Sequence, residues 1–295
     1  MKIVQSFWSY KFLEFKNSKS FKDWPSIEYE IYGRSLSCLL LSRLYKNIEL
    51  VTDIKGKELL IDILKLPYTN VVLDLNILDK YSPELWMLDD IYSMGIQDEP
   101  FMYVDDDVFF WSPLPEELTY YNAFTLYKKN YSYSYTAKQI RVEPQFVKLT
   151  PYLFRSMELR TFIQPHGNDF GIIGGCNNLF FREYSSATFS LLEKYTPFLN
   201  TVKYINELNF VLSENLFYNT CRNTKVIPFS YFSEYDNLEQ KQNLFSGRKN
   251  AGFHHFNQYH KKNQHELNEL EFIIRNEFPD YYYRIQKILK EKIVI

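Results

Sequence analysis

The chain has 295 residues, of which 18% are aromatic and 24% charged, and its formal net charge is −2. This length suits one large domain or two small ones, and the apolar content suffices for a packed core, which excludes intrinsic disorder. The chain has no long basic block, so nucleic acid is not expected as a partner. Cys38, Cys176 and Cys221 are far apart and show no metal-ligand spacing, which indicates free thiols in a reducing compartment.

The N-terminus and the hydropathy of the chain predict its location. Lys2 opens a strand-like segment that has no apolar region of the signal-peptide kind. No apolar stretch approaches the ~20 residues that a membrane-spanning helix needs. We therefore expect a soluble cytoplasmic protein, with peripheral contact to a membrane left open.

The first half of the chain alternates between strand-like and helix-like segments. The apolar patterns predict strands at 2–6, 48–52, 70–75 and 101–104, and helices at 27–46, 56–64 and 83–94. Pro25 just before the first helix and Gly95 just after the last are common boundary residues. This alternation predicts an α/β fold with a mostly parallel central sheet flanked by helices. In such sheets ligands bind beyond the carboxyl ends of the strands.

The second half of the chain is less regular. A helix is predicted at 204–218, short strands at 225–229 and 252–256, and one or two helices over 266–288 with a break near Pro279. The stretch 118–164 is rich in tyrosine. No linker is evident, so we predict a single domain over 1–295.

Three consecutive aspartates are the most informative feature. Asp105, Asp106 and Asp107 lie between the apolar run Phe101–Val104 and the apolar residues 108–111. In an extended backbone Asp105 and Asp107 share a face and Asp106 points to the other side. Two carboxylates on one face repel each other unless a cation lies between them, and oxygen ligands suit Mg²⁺ or Mn²⁺. A solvated acidic turn is the alternative, and the apolar flanks favour a metal site of the Asp-x-Asp type.

Four segments resemble glycosyltransferases of the GT-A fold, nearest to the glycogenin-like and lipopolysaccharide galactosyltransferase-like family and uncharacterised bacterial relatives. The segments are Leu50-Val-Thr-Asp53, Tyr103-Val-Asp-Asp-Asp-Val-Phe, Asn168-Asp-Phe-Gly-Ile-Ile-Gly-Gly175, and His255-Phe256 with Lys261. The chain departs from the family pattern in having Gln258 in place of a glycine, Lys262-Asn263 in place of Pro-Trp, and Glu207-Leu208 in place of Asp-Gln.

The resemblance implies a GT-A-like domain in which residues 1–107 bind the donor and 108–295 form the acceptor side. It implies a metal-dependent transfer, leaning towards retention, from a nucleotide diphosphate sugar, by analogy a UDP-sugar, to a glycan or other acceptor such as a bacterial surface glycan or lipid-linked sugar. Mn²⁺ or Mg²⁺ would be held by Asp105, Asp107 and His255, with His254 as the alternative ligand. The cation would neutralise the diphosphate leaving group, and Lys261 would contact the diphosphate as a flexible charge.

Further donor contacts are expected near the ends of the first two strands. Trp8 and Tyr10 follow the first strand and either stack on the donor base or pack in the core. Asp53 ends the second strand and either accepts a hydrogen bond from the base or caps the following helix. Asp106, between the two expected metal ligands, belongs to the same donor-binding group.

The remaining candidates lie in the second half of the chain. Gly174 and Gly175 suit either the close approach of a sugar or a tight turn between strands. Asp169 is a catalytic candidate that holds sugar hydroxyls or stabilises the transition state. Glu207 is the second catalytic candidate, and the alternative for it is a solvent-facing side chain. The tyrosines at 131–135 suit either an acceptor platform that stacks on sugar rings or an edge hairpin with packed tyrosines.

Two other classes of protein compete with a glycosyltransferase. A sugar nucleotidyltransferase normally has a glycine- and basic-rich phosphate loop after the first strand, whereas this chain has Phe7-Trp-Ser-Tyr10 there. A non-catalytic carbohydrate- or nucleotide-binding protein of the same fold would need no metal, and the three aspartates argue against it.

Overall fold

The computed structural model describes residues 1–15, 24–130, 166–168, 171–199, 209, 212–213, 216–232 and 252–291. Within these ranges the strands, in chain order, are β1 (Lys2–Phe7), β2 (Ile48–Thr52), β3 (Asn70–Leu73), β4 (Phe101–Val104), β5 (Val108–Phe110), β6 (Phe124–Asn130), β7 (His166–Asn168), β8 (Ile172–Gly175), β9 (Phe229–Phe232) and β10 (Phe253–His255). The α-helices are α1 (Ser9–Phe15), α2 (Ile27–Leu44), α3 (Ile54–Lys57), α4 (Leu88–Gly95), α5 (Asn178–Leu199), α6 (Leu216–Thr224), α7 (Gln258–Lys261), α8 (Gln264–Glu277) and α9 (Pro279–Glu291).

The central sheet begins with four parallel strands in the order β3-β2-β1-β4. It continues through the antiparallel strands β8, β6 and β7, and β9 pairs with β6 in parallel. β5 and β10 form a separate antiparallel pair. The predicted fold class, a mostly parallel α/β sheet flanked by helices, is confirmed. The strand order reverses between β1 and β4, and ligands of open α/β sheets bind at such a switch point.

Burial explains why the parallel strands read as continuous apolar runs. Every residue of β1, β2 and β4 is buried, because helices cover both faces of the sheet. One core cluster includes Val4, Tyr103 and Phe181 and packs beneath α4 and α5, and a second includes Leu36 and Leu50 and packs beneath α2, α8 and α9. Twelve consecutive residues of α2, from position 30 to 41, are buried, since α2 packs against β5 and against both α8 and α9.

Several predicted elements have different bounds in the structure. The predicted helix at 56–64 is α3 followed by a wide π-helical turn, Glu58–Ile63. The predicted helix at 83–94 forms only from Leu88, because the preceding residues make turns that still bury Leu85 and Met87. The strand expected at 225–229 begins instead at Phe229. Of the helix expected at 204–218, the structure describes residues 209 and 212–213 and the first three residues of α6. Residues 201–208 lie outside the described ranges, as does the tyrosine-rich stretch 131–165.

The long helix α5 was not predicted, although its sequence carries a helical signal. Phe180, Tyr184, Thr188 and Leu192 are all buried and lie four residues apart, which is the spacing of one helix face. Two C-terminal helices, α8 and α9, meet at Pro279 as expected. None of the helices in the described part of the chain has the length and apolarity needed to cross a membrane.

Candidate active site

The three aspartates form a tight turn that joins β4 to β5. The Val108 amide donates to the Asp105 carbonyl at 3.3 Å, and the Asp106 amide donates to Oδ1 of Asp105 at 2.8 Å. The backbone is therefore bent here rather than extended, which corrects the expectation that Asp106 points away from its neighbours. One carboxylate oxygen from each of the three lies within 4.8 Å of the others. Asp105 is partly exposed, whereas Asp106 and Asp107 are buried.

The C-terminal part of the chain reaches this turn through the pairing of β10 with β5. His255 lies opposite Val108, and the Phe256 amide donates to the Asp107 carbonyl at 2.8 Å. Nε2 of His255 is 3.3 Å from Oδ1 of Asp107, and Nζ of Lys261 is 2.7 Å from Oδ2. His254 is buried on the other side of the strand, since neighbouring strand residues face opposite ways. Of the two adjacent histidines, His255 is the one that faces the aspartates.

The charges around Asp107 fix its ionisation. Burial raises the pKa of the Asp107 carboxyl, but attraction to Lys261 and His255 outweighs burial and brings the pKa below its ordinary value. Burial lowers the pKa of Lys261, and the carboxylates of Asp107 and Asp106 outweigh burial and raise the pKa. Both groups are therefore charged at neutral pH and form a buried ion pair.

Asp106 has a different cationic partner, Arg34 of α2. The Arg34 guanidinium forms an ion pair with Oδ2 of Asp106 and donates from Nη1 to the Ser6 carbonyl at 2.9 Å. It also lies 4.5 Å from the centroid of the Phe7 ring and 3.5 Å from Glu30. Arg34 thus links α2 to the ends of both β1 and β4. Sequence reasoning missed it, although a lone arginine within the apolar run of α2 was a visible signal, because a buried charge needs a partner.

A second set of polar side chains lies at the end of β1. The Ser6 hydroxyl is 2.9 Å from Asp90, 3.1 Å from Asp89 and 2.8 Å from the Tyr103 hydroxyl. Nζ of Lys11 forms an ion pair with Asp89 and donates to the Trp86 carbonyl at 2.9 Å. A small cavity beside Arg34 is lined by Phe7, Lys11, Asp89 and Glu30, among others. The switch point therefore has charged walls of both signs.

Two of the residues predicted to contact the donor base, Trp8 and Asp53, make structural contacts. Trp8 is only 1% exposed and donates from its indole nitrogen to Asp79 at 2.7 Å, and Tyr10 packs beside it with ring centroids 5.7 Å apart. For Trp8 this placement matches the core-packing alternative rather than a stacking surface. Asp53 is buried and accepts from the Gly56 amide at 2.7 Å and from the Ser9 amide and hydroxyl at 2.7 and 2.8 Å. It caps α3, as the second alternative stated.

The register of β8 places Gly174 and Gly175 away from the aspartates. They lie opposite Met102 and Phe101, at the start of β4, whereas Asp105 follows its end. A Cβ at Gly174 would lie 2.2 Å from the Phe101 carbonyl oxygen, so close strand packing requires glycine there. The glycine at the site is Gly171, whose carbonyl accepts from the Asp105 amide at 2.9 Å. The catalytic candidates Asp169 and Glu207 lie outside the described residues.

The side chains at the turn suit a hard divalent cation. Among the described residues no group donates a hydrogen bond to the buried Oδ1 of Asp107, although Nε2 of His255 lies 3.3 Å from it. Two ligands of one Mg²⁺-sized ion with bonds of ~2.1 Å are separated by roughly 3 Å. The atoms that could hold such an ion are thus Oδ1 of Asp107, Nε2 of His255 and a carboxylate oxygen of Asp105.

Comparisons with known proteins define the family of the chain. The model of DUF6734, a family of unknown function, matches residues 1–288, and the chain belongs to this family. The glycogenin-like resemblance is not confirmed by this match. No curated protein matches the chain. Among solved structures, the apo form of mouse xyloside xylosyltransferase 1 is similar at 12% identity and a TM-score of 0.37, over 78% of this chain and 84% of that chain. Overlap at this level does not assign an activity.

Proposed function

We propose that the chain is a metal-dependent glycosyltransferase that transfers a sugar from a nucleotide diphosphate sugar, with a UDP-sugar as the first donor to test. One observation carries the proposal. Oδ1 of Asp107 is buried, has no well-aligned hydrogen-bond donor among the described residues, and lies 3.3 Å from Nε2 of His255 at the switch point of the sheet. A buried carboxylate oxygen without a well-aligned donor is costly, and a cation shared with His255 and Asp105 would satisfy it.

Each residue at the turn has a role in this proposal. Mn²⁺ or Mg²⁺, when bound, neutralises negative charge on the diphosphate leaving group. Asp105, Asp107 and His255 hold the cation. Lys261 exchanges Asp107 for a diphosphate oxygen, which its long flexible side chain permits. Arg34 holds Asp106 and thereby the conformation of the turn, so that the carboxylates are placed before the donor arrives.

The remaining parts of the proposal rest on the sequence. Residues 1–107 form the donor half and 108–295 the acceptor side of a GT-A-like domain. Tyr10, which is partly exposed next to the buried Trp8, is the remaining candidate for stacking on the base. Asp169 follows β7 and Glu207 precedes α6, and we retain both as candidates for holding sugar hydroxyls or stabilising the transition state. The acceptor is a glycan or another sugar-bearing molecule.

Turnover of nucleotide sugars tests the proposal. With Mn²⁺ and a panel of nucleotide sugars, the protein should release nucleotide diphosphate, slowly with water and faster when a suitable acceptor is added. Chelation of divalent cations should abolish the release. The measurement is chromatographic quantification of the nucleotide products, with Asp107→Asn as the inactive reference.

The same assay separates the competing classes of protein. Release of pyrophosphate from a nucleoside triphosphate and a sugar phosphate would replace the proposal with a sugar nucleotidyltransferase. Metal-dependent binding of nucleotide diphosphate without turnover across the panel would identify a carbohydrate- or nucleotide-binding protein instead.

A further inference from the structure

A second group of metal-ligating side chains lies on the opposite side of β10 from the aspartates. His254 comes from β10, His260 from α7 and Glu266 from α8, and they are 1%, 8% and 1% exposed. One ligand atom from each of the three lies within 4.8 Å of the others. We call these three residues the His-His-Glu cluster. The three come from consecutive elements, β10, α7 and α8, so the cluster connects the parts of the segment that contains His255 and Lys261.

The geometry of the cluster is close to that of a metal site. The imidazole rings of His254 and His260 meet edge to face with centroids 4.7 Å apart, and Nδ1 of His260 is 4.0 Å from Oε2 of Glu266. Ligands of a tetrahedral zinc ion with bonds of ~2.1 Å are separated by roughly 3.4 Å. Closing the His260–Glu266 pair around an ion therefore requires a movement of less than ~1 Å, which side-chain rotation supplies.

Aromatic rings flank the two histidines of the cluster. The ring of Phe256 lies 5.8 Å from that of His254 and 5.7 Å from that of His260, and Phe109 flanks His254 at 6.5 Å. Two imidazoles and one carboxylate are a donor set that zinc uses, whereas Mg²⁺ and Mn²⁺ favour sites made of oxygen ligands.

We propose that the His-His-Glu cluster binds a borderline divalent cation, for which Zn²⁺ is the best fit, with water as the fourth ligand. Because adjacent residues of a strand face opposite ways, an ion on His254 fixes the strand that presents His255 to Asp107. An ion on His260 likewise fixes α7, in which Lys261 directly follows His260. The ion is therefore a structural metal that holds this segment in place. Binding of the ion does not depend on glycosyltransferase activity.

Metal titration of the 295-residue chain tests this metal site. After removal of metal with a chelator, Co²⁺ should bind with the intense visible absorption of low-coordinate cobalt, and Zn²⁺ should displace it at one equivalent. His260→Gln and Glu266→Gln should each weaken the affinity for Zn²⁺ by roughly 100-fold or more, since changes even outside the first ligand shell cost 10–100-fold. The matched control is His265→Gln, which removes an exposed histidine beside Glu266 and should leave the affinity unchanged.

Two further measurements keep the proposal falsifiable. Zn²⁺ should raise the unfolding temperature of the wild-type protein, because a ligand that binds only the folded state stabilises it. Asp107→Asn should retain the cobalt spectrum, which separates this site from the one at the aspartates. A wild-type protein that shows no cobalt spectrum beyond that of octahedral aqueous Co²⁺, or no thermal shift with Zn²⁺, overturns the proposal even if the cluster variants fail to fold.

Discussion

Arg34→Met is expected to lower the free energy of unfolding by about 3–5 kcal/mol, because it leaves a buried carboxylate without its cation. Arg34 is 3% exposed and its guanidinium contacts Asp106, Glu30 and the Ser6 carbonyl. Burial lowers the pKa of Arg34, but Asp106 and Glu30 outweigh it and raise the pKa, so the cation persists at every working pH. Urea unfolding followed by far-UV circular dichroism measures the loss.

Arg43→Met is the matched control for this prediction. Arg43 lies on the same helix, but its side chain is 48% exposed and its ion pair with Glu277, at 2.8 Å, lies at the surface. Exposed pairs contribute about 0.2–1 kcal/mol, so its loss should be small. A double-mutant cycle with Asp106→Asn should show coupling with Arg34. Equal destabilisation by Arg34→Met and Arg43→Met would contradict the assignment of Arg34 as the residue that holds the turn.

Asp107→Asn should weaken Mn²⁺-dependent binding of a nucleoside diphosphate at least tenfold, equivalent to about 1.4 kcal/mol. The substitution removes the charge of the expected ligand and leaves Lys261, 2.7 Å away, without its carboxylate. Calorimetric titration of UDP in the presence and absence of Mn²⁺ measures the change. We expect the metal-dependent part of the affinity to be lost, while any weak contact of the base is kept.

Asp98→Asn is the charge-matched control for binding, because Asp98 is exposed and comes before β4 rather than after it. Loss of stability has to be separated from loss of binding, so thermal unfolding of Asp107→Asn should show that the variant is folded at the temperature of titration. Undiminished Mn²⁺-dependent affinity in a folded Asp107→Asn protein would remove Asp107 from the proposed metal site.

The buried Lys261–Asp107 pair has a consequence for how ligands enter. Nζ of Lys261 lies 2.7 Å from Oδ2 of Asp107, whose charge it neutralises, and 4.8 Å from the centroid of the Trp24 ring. A bound cation and Lys261 compete for the same carboxylate, and a diphosphate offers Lys261 an alternative anion. Metal and nucleotide are therefore expected to bind with positive coupling, each raising the affinity for the other.

The sequence by itself determined the parallel half of the sheet and the position of the acidic turn. Apolar runs such as 48–52 and 101–104 coincide with β2 and β4, since strands covered by helices on both faces have only buried positions. The aspartates directly after β4 could be placed at the ligand-binding edge because ligands of such sheets bind beyond the carboxyl ends of the strands. Alternation along a strand also anticipated that only one of His254 and His255 faces them.

Only the tertiary structure decided which side chains surround that turn. The antiparallel register of β8 sends Gly174 and Gly175 to the far end of β4 and brings Gly171 to Asp105. Arg34 reaches Asp106 from 72 residues away in the sequence. Register and long-range ion pairs depend on how elements pack, which local periodicity does not encode. The pairing of β10 with β5, which carries His255 and Lys261 to Asp107, is a contact of this kind.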